Sequence, residues 1–268
     1  MKSAEEIKAV FFDIDGTLFS HRSMSVPEST RLAIEELRRK NIRIVAATGR
    51  YPAELSGLPT DDIAFDAYIT LNGQMCFDAA GKVFFEHAID DVQGIVQLFN
   101  AKKYPIVLVE KERTYLNYDT EGIRRIPDSV QLQTLKVDKY MGGAVFQAVA
   151  YINEEEEADM RSCVSGVEIT RWHDYGLDLV AEGGSKVTGI RKYLEKEQIH
   201  PSETMAFGDG ENDIEMLRFA GIGVAMGNAG KTVRDAADYI TDDIDEDGVW
   251  RALLRYGVLD QQDPGNGK

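Results

Sequence analysis

Short uncharged runs alternate with amphipathic stretches through the first third of the chain, and each run ends in a polar, glycine-containing loop. Ala9-Val10-Phe11-Phe12 holds three large or β-branched residues and no charge, which predicts a buried strand. Pro27 to Lys40 predicts a helix, with Ile34 and Leu37 on one side and Glu35, Glu36, Arg38 and Arg39 turned outward. Pro27 and Glu28 suit its first turn. Ile42 to Ala47 and Phe65 to Thr70 predict two more strands, ending at Thr48-Gly49-Arg50 and Leu71-Asn72-Gly73, with a short helical piece between them. This is the pattern of an open α/β sheet.

The pattern changes beyond Asn72. Gln74 to Phe77 and Lys82 to Glu86 flank Asp78-Ala79-Ala80-Gly81 as a hairpin. A helix over Asp90 to Lys102 is followed by strands at Ile106 to Val109, Thr114 to Tyr118 and Gly143 to Tyr151. Asn153 caps an acidic helix, and Val167 to Arg171 and Gly176 to Val180 predict adjacent strands around a turn. The middle third therefore reads as an inserted α+β module with its own sheet. Lys186 to Glu197 then resumes the first pattern as a helix, followed by a strand at Thr204 to Phe207 and a helix at Ile214 to Phe219. Ile222 to Met226 and the edge at Ala237 to Ile240 are the last strands, Gly248 to Tyr256 is a closing helix, and Gln261 to Lys268 reads as a polar tail.

Composition narrows the function classes. With 43% hydrophobic and 28% charged residues over 268 positions, the chain has the make-up of a soluble protein that buries a sizeable core. A formal net charge of -16 argues against nucleic acid and anionic membrane as partners. Neither a secretion signal nor a membrane-spanning run is legible, so a cytoplasmic location is expected. Cys76 and Cys163 stand far apart and in no metal-binding spacing, which predicts free, partly buried thiols. Four scattered histidines form no cluster, so a bound metal would need oxygen ligands.

Two aspartates, Asp13 and Asp15, stand where the first strand becomes a loop. Desolvating unpaired carboxylates is costly, and on this segment alone a polar turn and a functional site fit equally well. Other strand ends carry Thr48 and Arg50, Asn72, and Asp209, Asn212 and Asp213, while Lys186 begins a helix. The carboxyl ends of parallel strands lie along one edge, so these residues can converge. Converging carboxylates repel unless a cation intervenes, and an all-oxygen set suits magnesium. With Lys186 as a second positive centre, the set suits a phosphoryl group.

Asp13-Ile14-Asp15-Gly16-Thr17-Leu18, followed in order by Thr48, Lys186 and Gly208-Asp209-Gly210-Glu211-Asn212-Asp213, resembles the signature of the haloacid dehalogenase superfamily of phosphohydrolases. Ala47-Thr48-Gly49-Arg50, Asn72-Gly73, Gly184-Ser185-Lys186, Ala225-Met226-Gly227-Asn228-Ala229 and Glu246-Asp247-Gly248-Val249 are similar to its Cof-type sugar-phosphatase group, with a type IIB cap. The resemblance implies an α/β fold: an open Rossmann-like parallel-sheet core formed discontinuously by residues 1–82 and 186–268, with an inserted α+β cap domain at 83–185 that selects substrate. It implies Asp13 as nucleophile, Asp15 as general acid and base, and Thr48 and Lys186 as phosphoryl-binding catalytic groups. Mg2+ would be held by Asp13, Asp15 (through its carbonyl) and Asp209, with Asn212 and Asp213 around it, and Gly49, Arg50, Asn72 and Gly73 would contact substrate. The expected partner is a small phosphorylated metabolite, acted on by a monomer or small homo-oligomer. A phosphomutase using the same intermediate, or a non-catalytic phosphate-sensing or protein-binding module, is the alternative.

Overall fold

The computed structural model describes residues 7–119 and 135–260. The tail read at 261–268 and the stretch at 120–134 lie outside the described residues. In chain order come β1 (Ala9–Phe12), α1 (Glu28–Arg39), β2 (Arg43–Ala47), β3 (Ala67–Thr70), β4 (Met75–Asp78) and β5 (Val83–Glu86). Next are α2 (Gln93–Asn100), β6 (Ile106–Glu110), β7 (Thr114–Leu116), β8 (Lys136–Val137), β9 (Val145–Ala150), α3 (Glu154–Cys163), β10 (Val167–His173) and β11 (Gly176–Ala181). The last are α4 (Lys186–Glu197), β12 (Thr204–Gly208), α5 (Ile214–Phe219), β13 (Ile222–Ala225), α6 (Lys231–Ala236), β14 (Tyr239–Ile240) and α7 (Gly248–Arg255).

The chain divides into two compact units, one built from residues up to Phe85 and from Ser185 onward, the other from Glu86 to Gly184. The first contains an eight-stranded sheet in the order β14-β13-β12-β1-β2-β3-β4-β5. Its strands from β14 to β3 run parallel, and β4 turns back antiparallel to β3. The absence of charge in β1 now has its reason: both faces are covered. Val10 and Phe12 pack with Ile34 and Leu37 of α1 and Val249 and Leu253 of α7. Ala9 and Phe11 point the other way, into a layer with Ile190 and Tyr193 of α4 and Leu217 of α5. Strands buried on both faces are uniformly apolar, as in other doubly wound sheets.

The inserted unit has a six-stranded sheet in the order β10-β11-β9-β6-β7-β8. Ile95 and Phe99 of α2 and Met160 of α3 share its core with Leu108, Ala148 and Leu179. Asn153 caps α3: its side chain accepts from the Glu156 amide at 3.0 Å, and Glu156 accepts from the Asn153 amide at 3.1 Å. The α/β class with an inserted α+β unit is as expected.

Four details differ from the sequence reading, the first being the two-residue strand β8 at Lys136–Val137, which was not expected. Helix α6 was not expected, because it is short and polar and only Val233 is buried. The turn read at Trp172-His173 is instead the end of β10, where an irregular register between Arg171 and His173 carries the strand on. Both cysteines are free, and Cys76 is buried, but Cys163 is exposed rather than partly buried. It ends an acidic helix whose one buried residue is Met160. Among the described residues, no helix is long and apolar enough to cross a membrane.

Candidate active site

Register brings the reactive residues to one edge. Phe12 of β1 pairs with Phe207 of β12 and Ala46 of β2, and Gly208 pairs with Ala225 of β13. The residues that follow these strands, Asp13, Thr48, Asp209 and the loop after Ala225, therefore leave the sheet at nearly the same level. Beyond β1, the Asp13 amide still donates to the Phe207 carbonyl at 3.0 Å.

Lys186 lies at the start of α4 and is 1% exposed. Its Nζ donates to Asp13 Oδ1 and to Asp213 Oδ1, each at 2.6 Å. Burial by itself would favour neutral Lys186, but the charges of Asp13 and Asp213 outweigh it and raise its pKa. Asp213 is fully buried and its Oδ2 accepts from the amides of Asp209 and Gly210 at 3.0 and 2.9 Å. One carboxylate thereby fixes both the lysine and the backbone of the Asp209 loop.

Asp13, Asp209 and Asp213 can each offer an oxygen, and these oxygens lie within 4.8 Å of one another. Three carboxylates face one ammonium, a deficit of positive charge that a divalent cation would fill. Burial and the neighbouring acids hold Asp13 well above the ordinary carboxylate range, despite the opposing charge of Lys186. Asp209 is pushed up to about 7, chiefly by burial and then by the charge of Asp213, against the Thr17 hydrogen bond and Lys186. All-oxygen donors with unrelieved negative charge fit a hard divalent cation.

A pH dependence follows from Asp209. Between the ordinary carboxylate range and about pH 7, the folded state keeps a proton that the unfolded chain has released, so stability falls as pH rises through that window. Metal-free protein is expected to melt lower at pH 8 than at pH 5.5. Mg2+ is expected to raise the melting temperature more at pH 8, where the site is ionised. Thermal scans of wild type and Asp209→Asn check this: the metal-dependent rise must shrink in the variant, and an equal rise in both would refute it.

Asp15 does not face this cluster. Its carboxylate accepts from Arg50 Nε at 2.7 Å and from a terminal Arg50 nitrogen at 2.6 Å, and His21 Nε2 lies 3.2 Å from Asp15 Oδ1. Burial works to raise the Asp15 pKa, but the Arg50 and His21 hydrogen bonds and charges outweigh it and hold the carboxyl well below the usual range. Arg50 is thus a two-point partner of Asp15. Thr48 is buried and its Oγ1 accepts from the Arg50 amide at 3.1 Å.

Asn72 sits in a strained turn. Leu71, Asn72 and Gly73 have φ of 55°, 52° and 91°, and a non-glycine residue in this region costs roughly 1–2 kcal/mol. The turn is tied to the loop after β2, with the Leu71 amide donating to the Arg50 carbonyl and the Asn72 amide to the Thr48 carbonyl. Asn72 Oδ1 accepts from Asn212 Nδ2 at 2.9 Å. A side chain at Gly49 would come within 3.2 Å of Asn72 Oδ1, and one at Gly73 within 2.1 Å of the Ser185 carbonyl. Gly73 thus lets the turn approach the residue preceding Lys186.

Several contributors went unread as site residues. Thr17 Oγ1 donates to Asp209 Oδ1 at 3.1 Å, and Asn228 Nδ2 donates to Asp209 Oδ2 at 3.2 Å. A Cβ on Gly16, whose φ is +77°, would fall 2.2 Å from Asp209 Oδ2, so only glycine fits there. Gly16 and Thr17 stand in the opening motif, and Asn228 follows a strand at the same edge, so the signal was available. His21, in an otherwise polar loop, offered none.

The haloacid dehalogenase-like hydrolase family matches residues 10–253. The chain is 31% identical over 262 residues to YkrA of Bacillus subtilis (strain 168), covering 94% of this chain and 98% of that one. Among solved structures, it is similar to BT1666 from Bacteroides thetaiotaomicron, from a study of phosphatases of this superfamily, with a TM-score of 0.84 and 34% identity across 94% of this chain and 96% of that one. It is also similar to BT4131, a subclass IIB sugar phosphatase, with a TM-score of 0.83 and 36% identity across 94% and 100% of the two chains. On its fold, its buried aspartate cluster and this match across most of its length, the chain belongs to the haloacid dehalogenase-like hydrolase family and is a phosphohydrolase.

Proposed function

We propose that the chain hydrolyses phosphate monoesters of small metabolites, sugar phosphates first among them, with Mg2+ and through an aspartyl-phosphate on Asp13, as a member of the Cof-type group. The observation that carries this reading is the buried Asp13–Lys186–Asp213 arrangement beside Asp209. The sugar-phosphate preference leans on the similarity to BT4131.

In this reading a carboxylate oxygen of Asp13 attacks phosphorus as the ester P–O bond breaks. The departing alkoxide takes a proton from Asp15. Water, giving its proton to Asp15, then attacks the same phosphorus, frees the Asp13 carboxylate and releases inorganic phosphate. Lys186 and Thr48, with the Gly49 amide, bind phosphoryl oxygens, and Asn212 orients groups beside them. Asp13, Asp209 and the Asp15 carbonyl would hold magnesium, with Asp213 adjacent; the ion would supply positive charge to the phosphoryl oxygens. Leaving-group choice belongs to the inserted unit, residues 86–184.

A release assay over phosphorylated metabolites with Mg2+, ranked by kcat/KM, tests the proposal. Sugar phosphates should lead over flavin nucleotide and pyridoxal phosphate. Isomerised sugar phosphate without free phosphate would point to a mutase, and binding without turnover to a sensing module.

Paired with Arg50, Asp15 is ionised and can take up a proton but not donate one. Its role as acid therefore requires this pair to loosen. Arg50→Ala is expected to move the basic limb of the pH profile of kcat/KM upward by about one pH unit or more. Arg50→Lys keeps the charge but not the two-point grip and should shift it less. Unmoved limbs in both variants would remove Arg50 from the proton-transfer step.

A further inference from the structure

We propose that Asn228 is a positioning residue for the metal site: its carboxamide fixes the Asp209 carboxylate in a cation-ready orientation. This rests on the reading of Asp209 as a metal ligand.

The loop carrying Asn228 is anchored independently of Asp209. The Met226 amide donates to the Gly208 carbonyl at 3.0 Å, extending the β12–β13 pairing one step past its end. The next residue, Gly227, donates to the Asp242 carbonyl at 3.0 Å, and a Cβ there would lie 2.5 Å from the Asp243 amide nitrogen. The loop is therefore seated between the end of β12 and the segment before α7.

The orientation of the Asn228 amide follows from its backbone partners. Its oxygen accepts from the Ile244 amide at 3.1 Å, which can only donate, and its Nδ2 donates to the Gly16 carbonyl at 2.8 Å, which can only accept. These two bonds permit one orientation of the amide, whatever Asp209 does. The same Nδ2 also reaches Asp209 Oδ2 at 3.2 Å.

Thr17 supplies the complementary hold on Asp209 Oδ1 at 3.1 Å. Each carboxylate oxygen thus receives one fixed donor, which sets the plane of the group and leaves further lone pairs for a cation. Gly16, by lacking a Cβ, lets Oδ2 lie close to its backbone. Asn228 is itself exposed, so its three bonds are not a by-product of core packing. Partners of this kind, which orient a ligand without touching the metal, typically change affinity 10–100-fold when removed.

The test is direct metal binding by the full chain, with Mg2+ by calorimetry and Mn2+ by paramagnetic resonance, alongside thermal scans without metal. Asn228→Ala is expected to raise the Kd for both ions about 10-fold or more, with kcat recovering at saturating metal. Asn228→Ser, which keeps a short hydroxyl, should fall between and serves as the measured variant if the alanine form does not fold. A lowered melting temperature with Kd within about 2-fold of wild type would make Asn228 a loop brace only and overturn the proposal. Wild type that binds neither ion would overturn the metal reading itself, a result distinct from equal binding by wild type and variant.

Discussion

Asp13→Asn is expected to abolish phosphate release, by at least about 10,000-fold, without loss of stability. The amide is nearly isosteric but is not a nucleophile, so no covalent intermediate can form. The structural consequence runs the other way. Burial and the charges of Asp213, Asp209 and Asp15 act against an ionised Asp13, with the charge of Lys186 opposing them. A neutral side chain relieves that repulsion, while Lys186 keeps its 2.6 Å bond to Asp213. The melting temperature without metal should hold or rise, a case of function maintained against stability. Release assays and thermal scans on the same preparation check both halves. Residual turnover within about 10-fold of wild type would remove Asp13 from the nucleophile's role.

Lys186→Met is expected to be the more damaging change to the molecule as a whole. The ammonium is the cation bonded to both Asp13 and Asp213, and it is buried with them. Removing one member of a buried ionic group leaves uncompensated charge and costs about 3–5 kcal/mol. For a chain of this size that is a fall of about 10 °C in melting temperature. Asp213 also holds the amides of Asp209 and Gly210, so its repulsion from Asp13 is transmitted to the Asp209 loop. Turnover should fall by at least about 100-fold, through the lost charge on the phosphoryl group. Mg2+ should restore part of the stability and little of the turnover. Equal melting temperatures for variant and wild type would show that the buried carboxylates are neutralised by other means.

Much of the catalytic unit was legible because its strands are covered on both faces. An unbroken apolar run such as Ala9 to Phe12 admits few other readings, and acids at its end need a partner. What stayed illegible depends on direction rather than on presence. Asp13 and Asp15 are two residues apart, yet one faces Lys186 and the other Arg50. That split is decided by how the chain bends at Ile14 and Gly16. Arg50 was expected to contact substrate, because nothing nearby in sequence names Asp15 as its partner. Helix α6 lacks the apolar stripe that reveals a helix, and it is held by its neighbours. In the inserted unit five of the six strands were visible, all but the two-residue β8, and a pattern of short runs does not state which strand pairs with which.

The position of β1 has a consequence for how the protein is made. It lies between β2 and β12, and Ala9 pairs with Thr204. A nascent chain can join β1 to β2 early, but the other edge of β1 stays open until the last third of the polypeptide has been synthesised. The entire inserted unit emerges first, and it can fold around its own core. During that interval the ribosome carries a half-sheet with Phe11 uncovered, a surface prone to wrong pairing. The proposed site residues divide along the same line, Asp13 and Asp15 made early and Lys186, Asp209 and Asp213 late. Activity therefore switches on with completion of the chain, and fragments that stop before β12 are expected to be chaperone clients rather than slow enzymes.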